Sequence, residues 1–223
     1  MRVWSGVACL VAVVAIGVAV GRGPAPDRVD GGVRQHLHSW LERRSFRDLL
    51  GEVAAERRAG HGTYVTAALP LLAAGVVAAG TALTAARRGR PRPPARTWAV
   101  WVAVLLLTVP LAYGLRVAFG RPGPGDLTVP GGSQGAYPSG GALLVALGWT
   151  IGGAVLVWLR PSWRRLVVAL GVLALAGHAF ARVAVGDHWL TDVLGSYLLA
   201  AGVALLADPL RPRGRERGRE RGR

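Results

Sequence analysis

His188 and Asp192 lie four residues apart at the start of an apolar run, so on a helix they share one face. A carboxylate in that position takes one imidazole N–H and leaves the other ring nitrogen as a nucleophile or base. The same pair also suits a simpler role, stabilising the start of the helix. Arg116, Arg121 and Arg182 stand at the ends of neighbouring apolar runs, and Tyr137-Pro138-Ser139-Gly140-Gly141 opens another. Ser139 is a good N-cap. Two helix N-termini aim backbone N–H groups and positive dipole ends at one place, and guanidiniums add formal charge. Such a place suits an anion, phosphate best of all. Each arginine taken singly is equally an interfacial residue whose stem snorkels. A nucleophilic histidine beside a bound phosphate implies phosphoryl transfer through a phosphohistidine.

These residues need elements to hold them. Six segments are apolar and long enough to cross a bilayer core of about 30 Å: Val3 to Val20, Gly62 to Ala86, Thr97 to Phe119, Ser139 to Leu159, Trp163 to Val185 and His188 to Ala207. Backbone polar groups in lipid must be satisfied internally, and the alternation of a barrel strand is absent, so the spans are helices. The fold expected is an all-α bundle of six transmembrane helices. Its division is a first helix over 1–21, an outer loop over 22–61, a five-helix core over 62–207 and a disordered Arg-rich tail over 208–223. Within the outer loop, Val33 to Ala59 reads as one or two amphipathic helices lying at the membrane surface. The first span lacks a clean small-x-small cleavage site after Val20 and reads as an uncleaved helix.

Arginine placement sets the orientation. Arg87 to Arg96 holds five Arg and no acid, Arg160, Arg164 and Arg165 flank another connection, and Arg211 to Arg223 holds seven Arg against Glu216 and Glu220. Six spans put all three regions on one side, together with both termini, and that side is the cytoplasm. The candidate site then faces outside, at the cell membrane.

Composition excludes other classes. The chain has 223 residues, 52% of them hydrophobic, and a formal net charge of +15. The charge invites nucleic acid, but only Asp126, Asp187 and Asp192 are acidic between His61 and Ala207, and arginine clusters sit between apolar runs. That is the pattern of a polytopic membrane protein and not of a basic groove. Cys9 is the only cysteine, so no intrachain disulfide forms. His36, His38 and His61 show no metal-ligand spacing, and no metal or cofactor is expected. Most of the eight Trp fall near span ends, as interface anchors do.

The stretch Arg182-Val-Ala-Val-Gly-Asp-His188-Trp-Leu-Thr-Asp192 resembles the third signature of the type 2 phosphatidic acid phosphatase superfamily: Ser-Arg, five residues, His, three residues, Asp. Pro138-Ser139-Gly140 resembles the second, Pro-Ser-Gly-His. The resemblance covers roughly Thr97 to Ala207. It implies His188 as nucleophile, Asp192 as its orienting partner, Arg182 as phosphate ligand, and Ser139 with the N–H groups of Gly140 and Gly141 around the phosphate oxygens. Departures are equally specific. The first signature, Lys, six residues, Arg-Pro, aligns with Arg116 and Gly123-Pro124, and Arg121 stands two residues before the lost arginine. The serine of the third signature is Ala181. The histidine that serves the family as general acid is Gly141.

A missing acid costs a phosphomonoester most, because general acid catalysis contributes about 10²–10⁴-fold and an alkoxide leaves poorly. A diphosphate ester releases a phosphate monoester and needs little protonation. The resemblance therefore implies a membrane lipid phosphatase acting on a lipid phosphate or diphosphate, with prenyl diphosphates such as undecaprenyl diphosphate favoured. His178, four residues before Arg182, and Asp187, beside His188, are the stand-ins for the acid. The alternative is a catalytically impaired relative that binds phosphorylated lipids or a membrane partner. A transporter is disfavoured because the spans carry no ionisable residue near the midplane.

Overall fold

The computed structural model describes residues 2–21, 28–43, 95–124, 135–159 and 161–207. Its elements are α1 (Arg2–Gly21), α2 (Arg28–Arg43), α3 (Ala95–Phe119), α4 (Gly140–Leu159), a 3₁₀ turn over Pro161–Trp163, α5 (Arg164–Ala184) and α6 (Leu190–Ala207). The described residues contain helices and no strand. Among the described residues, five stretches are long and apolar enough to cross a membrane: Val3–Gly21, Ala99–Phe119, Gly140–Val157, Pro161–Ala184 and Leu190–Ala207. The expected span Gly62 to Ala86, His61 and the Arg-rich tail lie outside the described residues.

α6 packs against α1, α2, α3, α4 and α5, and α4 lies between α3, α5 and α6. The core is aliphatic and aromatic, with Val13, Trp101, Tyr137, Leu143, Leu147 and Leu199 almost fully buried. Outward faces of α3 and α5 are as apolar as the core: Leu106, Leu107, Val172 and Leu173 are exposed. Such a surface suits lipid, not water. Between helices in lipid the hydrophobic driving force is weak, so close packing through small residues carries the association. Gly6 of α1 and Gly202 of α6 do this: a Cβ on either would stand 3.1 Å from the other's carbonyl oxygen.

The boundaries differ from the expected ones where polar groups intervene. α6 begins at Leu190 and not at His188, because the Asp192 carboxylate turns back to accept the Trp189 N–H at 2.9 Å. That is the reciprocal half of a capping box, and it leaves His188 in the turn before the helix. α2 begins at Arg28, five residues before the expected start, despite Gly31-Gly32. Asp30 in its first turn is held by Arg121 and Thr191, and these bonds outweigh the poor helix propensity of two glycines. Trp101 and Trp189 are buried, 3% exposed each, and are core residues, not interface anchors.

Candidate active site

The C-terminal ends of α3 and α5 and the N-terminal ends of α4 and α6 meet at one end of the bundle, and α2 lies across it. α3 closes at Gly120, whose φ of +56° suits glycine and whose N–H bonds to the Arg116 carbonyl at 3.0 Å. The chain leaves through Arg121 and returns at Gly135, where the Arg121 carbonyl accepts the Ala136 N–H at 2.5 Å. Arg116 Nε donates to the Gly135 carbonyl at 2.9 Å, and Nη1 lies 3.6 Å from where a Gly140 Cβ would be. Arg116 thus stands over the first turn of α4. Gly141 follows Gly140 in that turn, half-buried.

Ser139 caps α4. Its Oγ accepts the Ala142 N–H at 3.4 Å and its carbonyl takes the first helical bond from Leu143 at 3.0 Å. The Ser139 N–H donates to the Asp192 carbonyl at 3.1 Å, and Ser196 Oγ lies 2.8 Å from both the Ser139 and Asp192 carbonyls. The N-termini of α4 and α6 are therefore pinned together by backbone.

α5 ends in a turn that delivers His188. The Arg182 carbonyl accepts the Asp187 N–H at 3.1 Å and that of His188 at 3.4 Å, with Gly186 at φ +79° between. Arg182 is buried, and its Nη1 meets the Asp187 carboxylate at 3.2 Å. His188 is 7% exposed, and its Nδ1 faces Asp192 Oδ2 at 3.5 Å, longer than a good hydrogen bond. Burial lowers the His188 pKa below its ordinary value of 6.5, against the opposing pull of Asp192. The neutral imidazole is thereby favoured, the form a nucleophile needs.

Asp192 spends both oxygens inside the protein. Oδ2 takes the Trp189 N–H, and Oδ1 takes Arg121 Nη1 at 2.6 Å. Arg121 Nη1 also reaches Thr191 Oγ1 at 2.7 Å, and its Nη2 pairs with Asp30 Oδ2 at 2.6 Å. The expectation of Arg121 as a phosphate ligand meets this geometry head on: both terminal nitrogens are committed to Asp30, Thr191 and Asp192, and the side chain is 4% exposed. Asp187, a stand-in acid on sequence grounds, gives its carboxylate to Arg182. His178 is part-buried on α5 four residues before Arg182, about 6 Å along the axis.

Sequence reasoning missed Asp30, Thr191 and Trp189. Trp189 Nε1 donates to the Pro122 carbonyl at 3.0 Å, and the guanidiniums of Arg34 and Arg121 both lie over its ring, 5.7 and 5.6 Å from the centroid. The one available signal was Asp30 four residues before Arg34 on a helical face, and nothing in that spacing points to position 121.

The sequence model of the PAP2 superfamily matches residues 71–213, well over half of the 223. An undecaprenyl-diphosphatase of Sulfolobus acidocaldarius is 31% identical over 91 residues, 41% of this chain and 41% of that protein. The chain thus matches less than half the length of that relative. The crystal structure of a transmembrane PAP2-type phosphatidylglycerolphosphate phosphatase from Bacillus subtilis superposes with a TM-score of 0.66, covering 95% of this chain and 100% of that one at 19% identity. That likeness is one of fold. With five apolar helices of spanning length among the described residues, that fold and a matching family model, the chain is a multi-pass membrane protein and belongs to the PAP2 superfamily.

Proposed function

We propose that the protein is a membrane lipid phosphatase that hydrolyses a lipid diphosphate, a prenyl diphosphate of the undecaprenyl type above all, through a phosphohistidine on His188. The observation that carries this reading is a buried histidine, its neutral form favoured, whose Nδ1 faces Asp192 two residues before α6, with the Ser139 N–H at the start of α4 bonded to the Asp192 carbonyl. Nδ1 is turned to Asp192, so Nε2 is the attacking atom. It forms the P–N bond to the terminal phosphorus while the P–O bond to the lipid monophosphate breaks. Water then attacks the phosphohistidine, releasing inorganic phosphate and restoring the imidazole. Arg116, Arg182, Ser139 and the N–H groups of Gly140 and Gly141 hold the phosphoryl oxygens and the charge that spreads onto them. Gly141 offers no proton, which matches a leaving group that is already a stable anion. The family membership and the named relative support the substrate class.

The arginine asymmetry supports a site facing outside, cytoplasmic termini and residence in the cell membrane. The test is phosphate release by the purified full chain from prenyl diphosphates, prenyl monophosphates and phosphatidic acid. Release from diphosphates, absent in His188→Ala, is the expected result. No release from any of them, with the phosphorylated lipids still bound, overturns the reading in favour of a binding relative.

A further inference from the structure

α2 is not apolar enough to span a membrane, yet it is docked on the reactive end of the bundle by three separate contacts. Asp30 and Arg34, four residues apart, share one face. Asp30 is 1% exposed: its Oδ1 accepts the Thr191 N–H at 3.0 Å, and its Oδ2 accepts Arg121 Nη2 at 2.6 Å and the Thr191 hydroxyl at 2.5 Å. The Arg34 guanidinium lies over Trp189, with Nη2 3.6 Å from where a Gly186 Cβ would be. Further along, Trp40 meets Phe180 of α5 edge-on with centroids 6.4 Å apart.

Asp30 grips the site twice. It holds the backbone and hydroxyl of Thr191, the residue before Asp192, and it holds the guanidinium that pairs with Asp192 Oδ1. A single cation, Arg121, stands between two carboxylates that are both 0% exposed in their side chains. Exposed ion pairs are worth about 0–1 kcal/mol, but a buried one fixes geometry, because moving either partner strands a charge. The Asp192 carboxylate can neither rotate away from His188 nor draw Arg121 wholly to itself while Asp30 claims the other terminal nitrogen.

We infer that Asp30 is a positioning residue for the His188–Asp192 pair, acting through Arg121 and Thr191, so that the non-spanning helix α2 is a working part of the site. This rests on His188 being the nucleophile. Asp30 touches neither substrate nor reacting atoms. Its effect is therefore on the rate of phosphoryl transfer and not on lipid binding.

The test uses the full chain in lipid–detergent micelles, with kcat and KM on a prenyl diphosphate expressed per folded molecule and phosphohistidine formation followed with radiolabelled terminal phosphate. Asp30→Asn keeps the shape and removes the charge. The expected result is a fall in kcat and in the labelling rate of about 10–100-fold, since a misplacement of about 1 Å costs about 10²-fold, with KM nearly unchanged. Asp30→Glu restores part of the rate. Asp30→Asn folded with wild-type kcat overturns the inference, as does a loss explained wholly by a smaller folded fraction. If Asp30→Asn does not accumulate, Thr191→Val and Asp30→Glu decide: wild-type kcat in both overturns it. Parent activity that disappears in His188→Ala but ignores every Asp30 change refutes this inference alone. An inactive parent refutes the phosphatase reading and the inference with it.

Discussion

Replacing Arg121 by methionine tests whether that residue serves the fold or the substrate. The guanidinium is 2.6 Å from Asp192 Oδ1 and 2.6 Å from Asp30 Oδ2, and the three side chains are 4%, 0% and 0% exposed. Together they carry a formal charge of one carboxylate in excess, and without Arg121 two unpaired carboxylates remain buried. At an effective dielectric of about 20, each attraction at 4 Å amounts to about 4 kcal/mol, and breaking a buried pair by removing one partner costs about 3–5 kcal/mol. Arg121→Met should destabilise the protein by that order. Asp30→Asn alone leaves the Arg121–Asp192 pair intact and should cost about 1–3 kcal/mol, the range for unsatisfied buried polar groups. The two changes should not add. Once the arginine is gone, a neutral Asn replaces a stranded carboxylate, so the double variant should be at least as stable as Arg121→Met. Coupling of about 0.5–3 kcal/mol is expected for groups in direct contact. Unfolding of all four proteins in one micelle composition, followed by tryptophan fluorescence, measures it. Additivity within about 0.5 kcal/mol, or a raised KM in Arg121→Met with unchanged stability, refutes the argument and returns Arg121 to the phosphate.

Three further outcomes follow from particular residues. Gly141→His should raise hydrolysis of monophosphate lipids more than that of diphosphates, by up to about 10²-fold, in a side-by-side rate comparison, because it supplies the proton an alkoxide needs. The acid limb of kcat/KM should lie below the ordinary imidazole value of 6.5, since burial lowers the His188 pKa and the neutral form persists to lower pH; by the same sign, the unfolded chain takes up this proton first, so stability should fall as pH drops through 6.5. Gly195→Ala should cost about 1–3 kcal/mol in thermal unfolding, because a Cβ there would lie 2.5–2.6 Å from the ring of Tyr137, which is fully buried and bonded through its hydroxyl to the Val13 carbonyl.

Local pattern carried the spans. Four of the five described spanning helices have no Asp or Glu, and the fifth, α6, has one in its first turn, so apolar length alone identified them. The spacing of His188 and Asp192 placed their Cα atoms on neighbouring turns. It did not reveal that Asp192 would turn back to Trp189 and push the helix start two residues on. Asp30 was invisible for a different reason. A buried ion pair is a relation between positions 91 residues apart, and neither hydropathy period nor motif spacing reports such relations. The same holds for Arg121: its sequence neighbours place it at a helix end, while its partners decide whether it faces substrate or protein.

Those partners change how the reactive end is built. Arg116 reaches α4 from α3, Arg182 ends α5 beside His188, and the Ser139 N–H on the Asp192 carbonyl locks α4 to α6. If each cation faced a phosphate, the site would be held together mainly by its ligand. Arg121 instead neutralises carboxylates from α2 and α6, so the unliganded site carries its own ionic bond, and Asp192 stays aligned without substrate. Preorganised charge of this kind needs no rearrangement at the moment of reaction. In the proposed reaction it keeps Asp192 aligned on the attacking His188, and it supplies no proton to a leaving alkoxide. A site with this balance should select substrates by their leaving group, and among lipid phosphates the diphosphates are the ones whose leaving group needs least help.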